Sequence, residues 1–192
     1  WGCLNNLNTL QAISMSGVCL VLCTSIWAAS VDVHGQEYTW VVVSVVWFFL
    51  LVFFLLKGIQ RWQQVFVLAR NAMGVVLLTA TWVALFQSKS IASAYLFSVL
   101  SLVWTADIAA YFVGKKWGRH KLAPSISPGK SVEGLVGGLM GTTLLAIVWL
   151  QLEGVIPSVL NGNLFSKLYS HGYLTLIGGI FLLTLISAAG DL

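Results

Sequence analysis

Six stretches of this chain are apolar for long enough to cross a bilayer: Leu10–Ser30, Trp40–Leu56, Asn71–Phe86, Ile91–Phe112, Gly134–Leu152 and Tyr173–Ala189. A spanning helix needs about 20 predominantly apolar residues, with a working range of roughly 17–25. The third stretch is short, because Arg70 interrupts a run that otherwise starts at Val65. The runs are continuously apolar rather than alternating, which selects helices over a β-barrel. The sequence therefore predicts an all-α, polytopic integral membrane protein with about six transmembrane helices, forming a single transmembrane helical domain over residues 1–192. No fixed-period repeat, low-complexity segment or soluble domain separates the spans.

Composition excludes the alternatives. Hydrophobic residues make up 58% of the chain, charged residues 8%, and the mean hydropathy is +0.90. A soluble domain carries roughly 25% charged residues to keep its surface in water. A soluble enzyme, a secreted disulfide scaffold and a disordered tail are thereby excluded. Nine Trp and ten Phe add the aromatic load of a bilayer interface. Cys3, Cys19 and Cys23 have no metal-site spacing and read as small hydrophobes. The first apolar run is too long, and too poor in basic flank, for a signal peptide. Because the chain starts at Trp1 and stops at Asp191-Leu192 without a polar tail, both ends are expected to be internal to a longer protein.

Lys and Arg set the orientation. With six spans, Lys57, Arg61, Arg70, Lys115, Lys116, Arg119, Lys121 and Lys130 share one side, eight of the ten positive residues. Lys89 and Lys167 lie on the other, with Asp32, Glu37 and Glu153. The first side is expected to be cytoplasmic, and Asp191 at the end of the sixth span falls on it.

The densest polar stretch, Gly114–Glu133 (GKKWGRHKLAPSISPGKSVE), holds five of the positive charges and two of the three prolines. It is expected to form a cytoplasmic, basic substrate-binding loop over 113–133. For Lys115-Lys116 the favoured reading is plain contact with anionic headgroups. The second half of the loop is more specific. Pro124 and Pro128 bias Ala123 and Ser127 toward extended backbone. Ser127-Pro128-Gly129-Lys130-Ser131 then runs into the fifth span, so that backbone N–H groups at a helix start and a Lys charge favour phosphate. The Gly-Lys-Ser tripeptide is not a nucleotide-hydrolase P-loop, because the earlier Gly of that pattern falls at Pro124.

Asp107, about two turns before the loop, is a carboxylate inside a span. Such groups are costly and mark functional sites by default, the alternative being an internal pair or a bond to Tyr111. Asp191 is read the same way. Gly134, Gly137, Gly138 and Gly141 share a helix face and are expected to let another helix approach closely. His34 and His171 have no companion ligands, and His120 sits among cations, where it can donate to phosphate but not favour a metal. No HExxH, CxxC or Gly-x-Ser-x-Gly pattern is present.

The stretch Trp104-Thr-Ala-Asp-Ile-Ala-Ala-Tyr111, followed by Gly118-Arg-His-Lys-Leu-Ala-Pro124, Ser127-Pro-Gly-Lys130 and Glu133-Gly134, resembles the bacterial phosphatidate cytidylyltransferases (CDP-diacylglycerol synthases). Ser187–Leu192 resembles the start of that family's next block. The resemblance implies transfer of CMP from CTP to phosphatidic acid, with release of pyrophosphate and with Mg²⁺ as cofactor, at the cytoplasmic face of the bacterial inner membrane. It implies Asp107, Lys130 and Asp191 as catalytic residues, Asp191 as the metal ligand, and His120, Lys121, Ser127, Gly129, Lys130 and Glu133 as substrate-binding residues, with Glu133 orienting Lys130. The implied partners are CTP, phosphatidic acid and membrane lipid, with no nucleic acid; a homodimer is left open.

One departure stands out. The family's Lys-Arg…Lys-Asp run and Pro-Gly-His-Gly-Gly segment are absent, so the 192-residue chain by itself is expected to be inactive. The rival reading is a small-solute or ion transporter with Asp107 as coupling acid. It calls for broken helices and repeated halves, which the sequence does not show. A CDP-alcohol phosphotransferase needs several closely spaced Asp residues, and this chain has three, far apart.

Overall fold

A computed structural model describes residues 67–123 and 127–190, together with Gly17, Val21 and Val45. The chain divides into two compact units, Trp1–Gln87 and Ser88–Leu192. Four helices among the described residues are long and apolar enough to cross a membrane. They coincide with the last four predicted spans. The first two, Leu10–Ser30 and Trp40–Leu56, lie outside the described residues, as do Cys3, Cys19, Cys23 and Asp191.

The first unit contributes most of α1 (Val67–Ile91). This helix runs through Arg70 at one end and past Phe86 at the other, so the predicted boundaries Asn71 and Phe86 are both too tight. Hydropathy drops at Gln87-Ser88-Lys89-Ser90, but nothing there breaks a helix. A single extended residue, Ala92 (φ −167°, ψ 146°), separates α1 from α2 (Ser93–Trp117).

In the second unit α2 is followed by β1 (Lys121–Ala123), β2 (Ser127–Ser131), α3 (Val132–Val155), two short helices, α4 (Pro157–Leu160) and α5 (Leu164–Ser170), and α6 (Tyr173–Gly190). The strands form an antiparallel hairpin pairing Lys121 with Ser131 and Ala123 with Ser127. The hairpin caps one end of the helices, and α4 and α5 close the other. The predicted loop 113–133 is thus shorter than expected, because α2 continues past Phe112 to Trp117. Lys115 and Lys116 are good helix formers and favour the negative end of the helix dipole.

Helices α2 and α3 form the most extensive helix pair of this unit, with α6 packed against both. The glycine face of α3 makes that approach. A Cβ on Gly137 would lie 2.5 Å from Val113 Cβ, and one on Gly134 would lie 2.9 Å from the Ala110 carbonyl oxygen. In lipid, helices gain little by hiding apolar surface from each other, so close backbone packing and interhelical hydrogen bonds hold them together. Thr142 on α3 and Thr184 on α6, both buried, supply one such bond at 3.0 Å.

The apolar core lies toward the capped far end, where Leu102, Ala146, Leu164, Phe165, Leu176 and Ile180 cluster. Polar groups there are internally matched. Ser98 Oγ accepts from the Leu164 N–H at 2.9 Å and donates to the Tyr95 carbonyl at 2.7 Å. Asn163, fully buried, caps α5 through the Ser166 N–H and donates to Glu153 at 2.9 Å.

Candidate active site

At the hairpin end, α2, α3, α6 and β2 enclose a cavity of about 560 Å³. Helix α2 lends it Asp107, Tyr111 and Lys115, at positions i, i+4 and i+8 on one face. The strand β2 adds Ser127, Gly129 and Lys130. Thr184 and Ala188 of α6 and the small residues Gly134 and Gly138 of α3 complete the wall. Of the candidates named from sequence, the cavity therefore gathers Asp107, Ser127, Gly129 and Lys130.

Lys130 is held in place by α6. Its Nζ donates to the Ala188 carbonyl oxygen at 3.1 Å. The bond ties the hairpin to α6 across 58 residues of chain. The lysine is thereby fixed at the cavity wall; Asp191 lies outside the described residues.

His120, Lys121 and Glu133 stand off the cavity lining. Glu133 does not orient Lys130. Its carboxylate lies 2.7 Å from His120 Nδ1 and accepts from the Arg119 and His120 N–H groups at 3.1 and 3.2 Å. A residue on the first turn of α3 thus clamps the segment between α2 and β1, with the His120 side chain 81% exposed.

The start of α3 also differs from the phosphate cradle expected of it. Ser131 caps the helix by accepting from the Gly134 N–H at 3.1 Å, and the Val132 N–H donates to the His120 carbonyl at 2.9 Å. Two of the helix-end donors are thus spent inside the protein. Positive charge at the cavity comes from Lys130 and Lys115 instead.

Lys115 and Tyr111 were not among the candidates. Their spacing from Asp107 carries the signal: once α2 runs to Trp117, residues 107, 111 and 115 share a face. Lys115 Nζ sits 3.5 Å from the Tyr111 hydroxyl and 5.6 Å from its ring centroid.

Among the described residues no cluster of three or more His, Cys, Asp or Glu is present. Among the described residues lining the cavity, Asp107 is the one carboxylate, a hard oxygen donor of the kind Mg²⁺ takes. Mg²⁺ is commonly held by one or two carboxylates together with substrate phosphates, so this donor set suits an ion that arrives with a polyphosphate.

The profile of the cytidylyltransferase family matches residues 4–192 of the chain. Curated relatives include three phosphatidate cytidylyltransferases. That of Pseudomonas aeruginosa is 46% identical over 81 residues, which is 41% of this chain and 28% of the relative. That of Haemophilus influenzae is 51% identical over 55 residues, 29% of this chain and 19% of the relative. That of Bacillus subtilis is 44% identical over 63 residues, 33% of this chain and 23% of the relative. The matched stretches thus span less than a third of each relative's length. No solved structure matches the chain.

Proposed function

The chain belongs to the cytidylyltransferase family, and from that membership and the cavity's chemistry we propose that its protein transfers CMP from CTP to phosphatidic acid, giving CDP-diacylglycerol and pyrophosphate. The carrying observation is the cavity that places Lys130, Lys115 and Asp107 at one end of a membrane-spanning helical unit. In this reading the protein has six spans in a bacterial inner membrane, and the hairpin end faces the cytoplasm, where CTP is found.

The reaction asks for little covalent help. A phosphate oxygen of the lipid attacks the α-phosphorus of CTP. The bond from that phosphorus to the β-phosphate oxygen breaks, and pyrophosphate leaves. A phosphate monoester is already mostly dianionic near pH 7, since its second pKa is about 6, so no general base is required. Catalysis then rests on positioning and on offsetting negative charge. Lys130, anchored on α6, holds a substrate phosphate, and Ser127 and Gly129 line its approach. His120 and Lys121, exposed beside the cavity, attract anionic substrate, while Glu133 fixes the His120 segment. Asp107, with Asp191, would hold Mg²⁺, which when bound offsets the charge of the nucleotide phosphates.

A transport reading calls for a polar path through the bundle. In the second unit the polar cavity lies at the hairpin end, whereas the far end is filled by the core around Phe165, itself 0% exposed. That arrangement favours the transferase.

The test is turnover by the full gene product in detergent, with CTP, phosphatidic acid and Mg²⁺. CDP-diacylglycerol and pyrophosphate are expected in equal amounts, and only when both substrates are present. A well-folded protein that makes neither contradicts the proposal.

A further inference from the structure

The exposed face of α2 carries two stripes side by side. One is polar: Asp107, Tyr111 and Lys115, all three lining the cavity and all three exposed. The other is apolar: Trp104, Ile108 and Phe112, which are 60%, 57% and 65% exposed. Successive members of each stripe are four residues apart, and the stripes are offset by one residue around the helix. An apolar stripe from Trp104 to Phe112 that ends one turn short of a lysine matches the shape of a lipid with an anionic head.

The two cavity lysines differ in a way that suits different ligands. Lys130 is half-buried and hydrogen-bonded to the C-terminal end of α6. Lys115 is exposed, one turn above Tyr111, and its contact with that hydroxyl is long at 3.5 Å. An ammonium held that loosely over a ring can exchange its contact for a phosphate at little cost, because a charge-assisted bond is the stronger of the two. Lys116 is different, since it projects over the Trp117 ring at 4.6 Å and is not part of the cavity wall.

The geometry points to Lys115 as the lipid-side cation of the site: it binds the phosphate monoester of the lipid acceptor, whose acyl chains lie along Trp104, Ile108 and Phe112. This assignment rests on the transferase reading for its role in turnover, but the binding it describes stands by itself. Lys130 is left for the phosphates of the nucleotide.

Two measurements on the full gene product separate the sources of phosphate. In mixed micelles, Lys115→Ala is expected to raise the apparent KM for phosphatidic acid about tenfold, as expected for one lost charge-assisted contact. The KM for CTP should stay within about twofold, and Lys116→Ala should stay near the unaltered protein. A rise in the CTP KM with no change for phosphatidic acid overturns the assignment, and so does a Lys115→Ala protein with both values unchanged. Equilibrium binding of short-chain phosphatidic acid without CTP is the second arm, with the same expected tenfold weakening in Lys115→Ala. If the unaltered protein makes no CDP-lipid, the transferase reading fails while this binding arm still decides Lys115: unweakened binding in Lys115→Ala overturns it.

Discussion

Lys130 Nζ donates a 3.1 Å hydrogen bond to the carbonyl oxygen of Ala188, 58 residues further along the chain. A hairpin residue is thereby tied to the last turn of α6, and the cavity between them gains its fixed positive charge. In Lys130→Ala, amide exchange around Ala188 should speed up while the middle of α6, around Ile180, keeps its protection. Equal exchange at the α6 C-terminal end in both proteins would show that the bond does not order it.

Close approach of α2 and α3 depends on Gly137, where an added Cβ falls 2.5 Å from Val113 Cβ. Gly137→Ala is expected to destabilise the protein by about 1–3 kcal/mol, the usual range for overpacking. Val113→Ala in the same chain should restore part of that loss, because the two sites touch and their effects do not add. Gly154→Ala, on the same helix with open space around it, serves as the control. Thermal unfolding in detergent reads all three variants against the unaltered protein.

Thr142 and Thr184 cross-link α3 and α6 through their hydroxyls at 3.0 Å. Thr142 Oγ1 also lies 3.0 and 3.1 Å from the carbonyl oxygens of Gly138 and Leu139, and either hydroxyl can be the donor across the interface. A double-mutant cycle with Thr142→Val and Thr184→Val should give a coupling of about 0.6 kcal/mol, typical of bonds between membrane helices. A coupling indistinguishable from zero would mean the contact does not hold the helices together.

Glu133 gathers the Arg119 and His120 N–H groups and the His120 ring. Removing the carboxylate in Glu133→Ala should expose both amides to rapid exchange and leave Lys130 on α6 undisturbed. Exchange spreading instead to the last turn of α6 would indicate that Glu133 acts on Lys130 after all.

The sequence makes the spans legible because a bilayer demands long apolar runs, and the last four match helices closely. Helix ends are less legible. Hydropathy falls at Phe112 and at Phe86, but the backbone stays helical to Trp117 and Ile91, since Lys, Gln and Ser do not break a helix. The prolines correctly predict extended backbone at Ala123 and Ser127, whereas the hairpin itself depends on pairing Lys121 with Ser131, which no local rule supplies. The glycine face of α3 was readable from spacing alone. The resemblance implies that Glu133 orients Lys130, whereas in the structure Glu133 bonds the Arg119–His120 segment and Lys130 bonds Ala188 of α6. Lys115 was missed because, treated as part of a loop, it has no face to share with Asp107.

The most direct test of the account is the rate of CDP-diacylglycerol formation by the full gene product carrying Lys130→Ala, beside Lys116→Ala and the unaltered protein. Loss of one preorganised charge at a phosphoryl-transfer site is worth about 10²–10³ in rate. The account predicts a loss of that order in Lys130→Ala and near-normal turnover in Lys116→Ala. A Lys130→Ala protein that turns over as fast as the unaltered one would contradict the placement of the active site in this cavity.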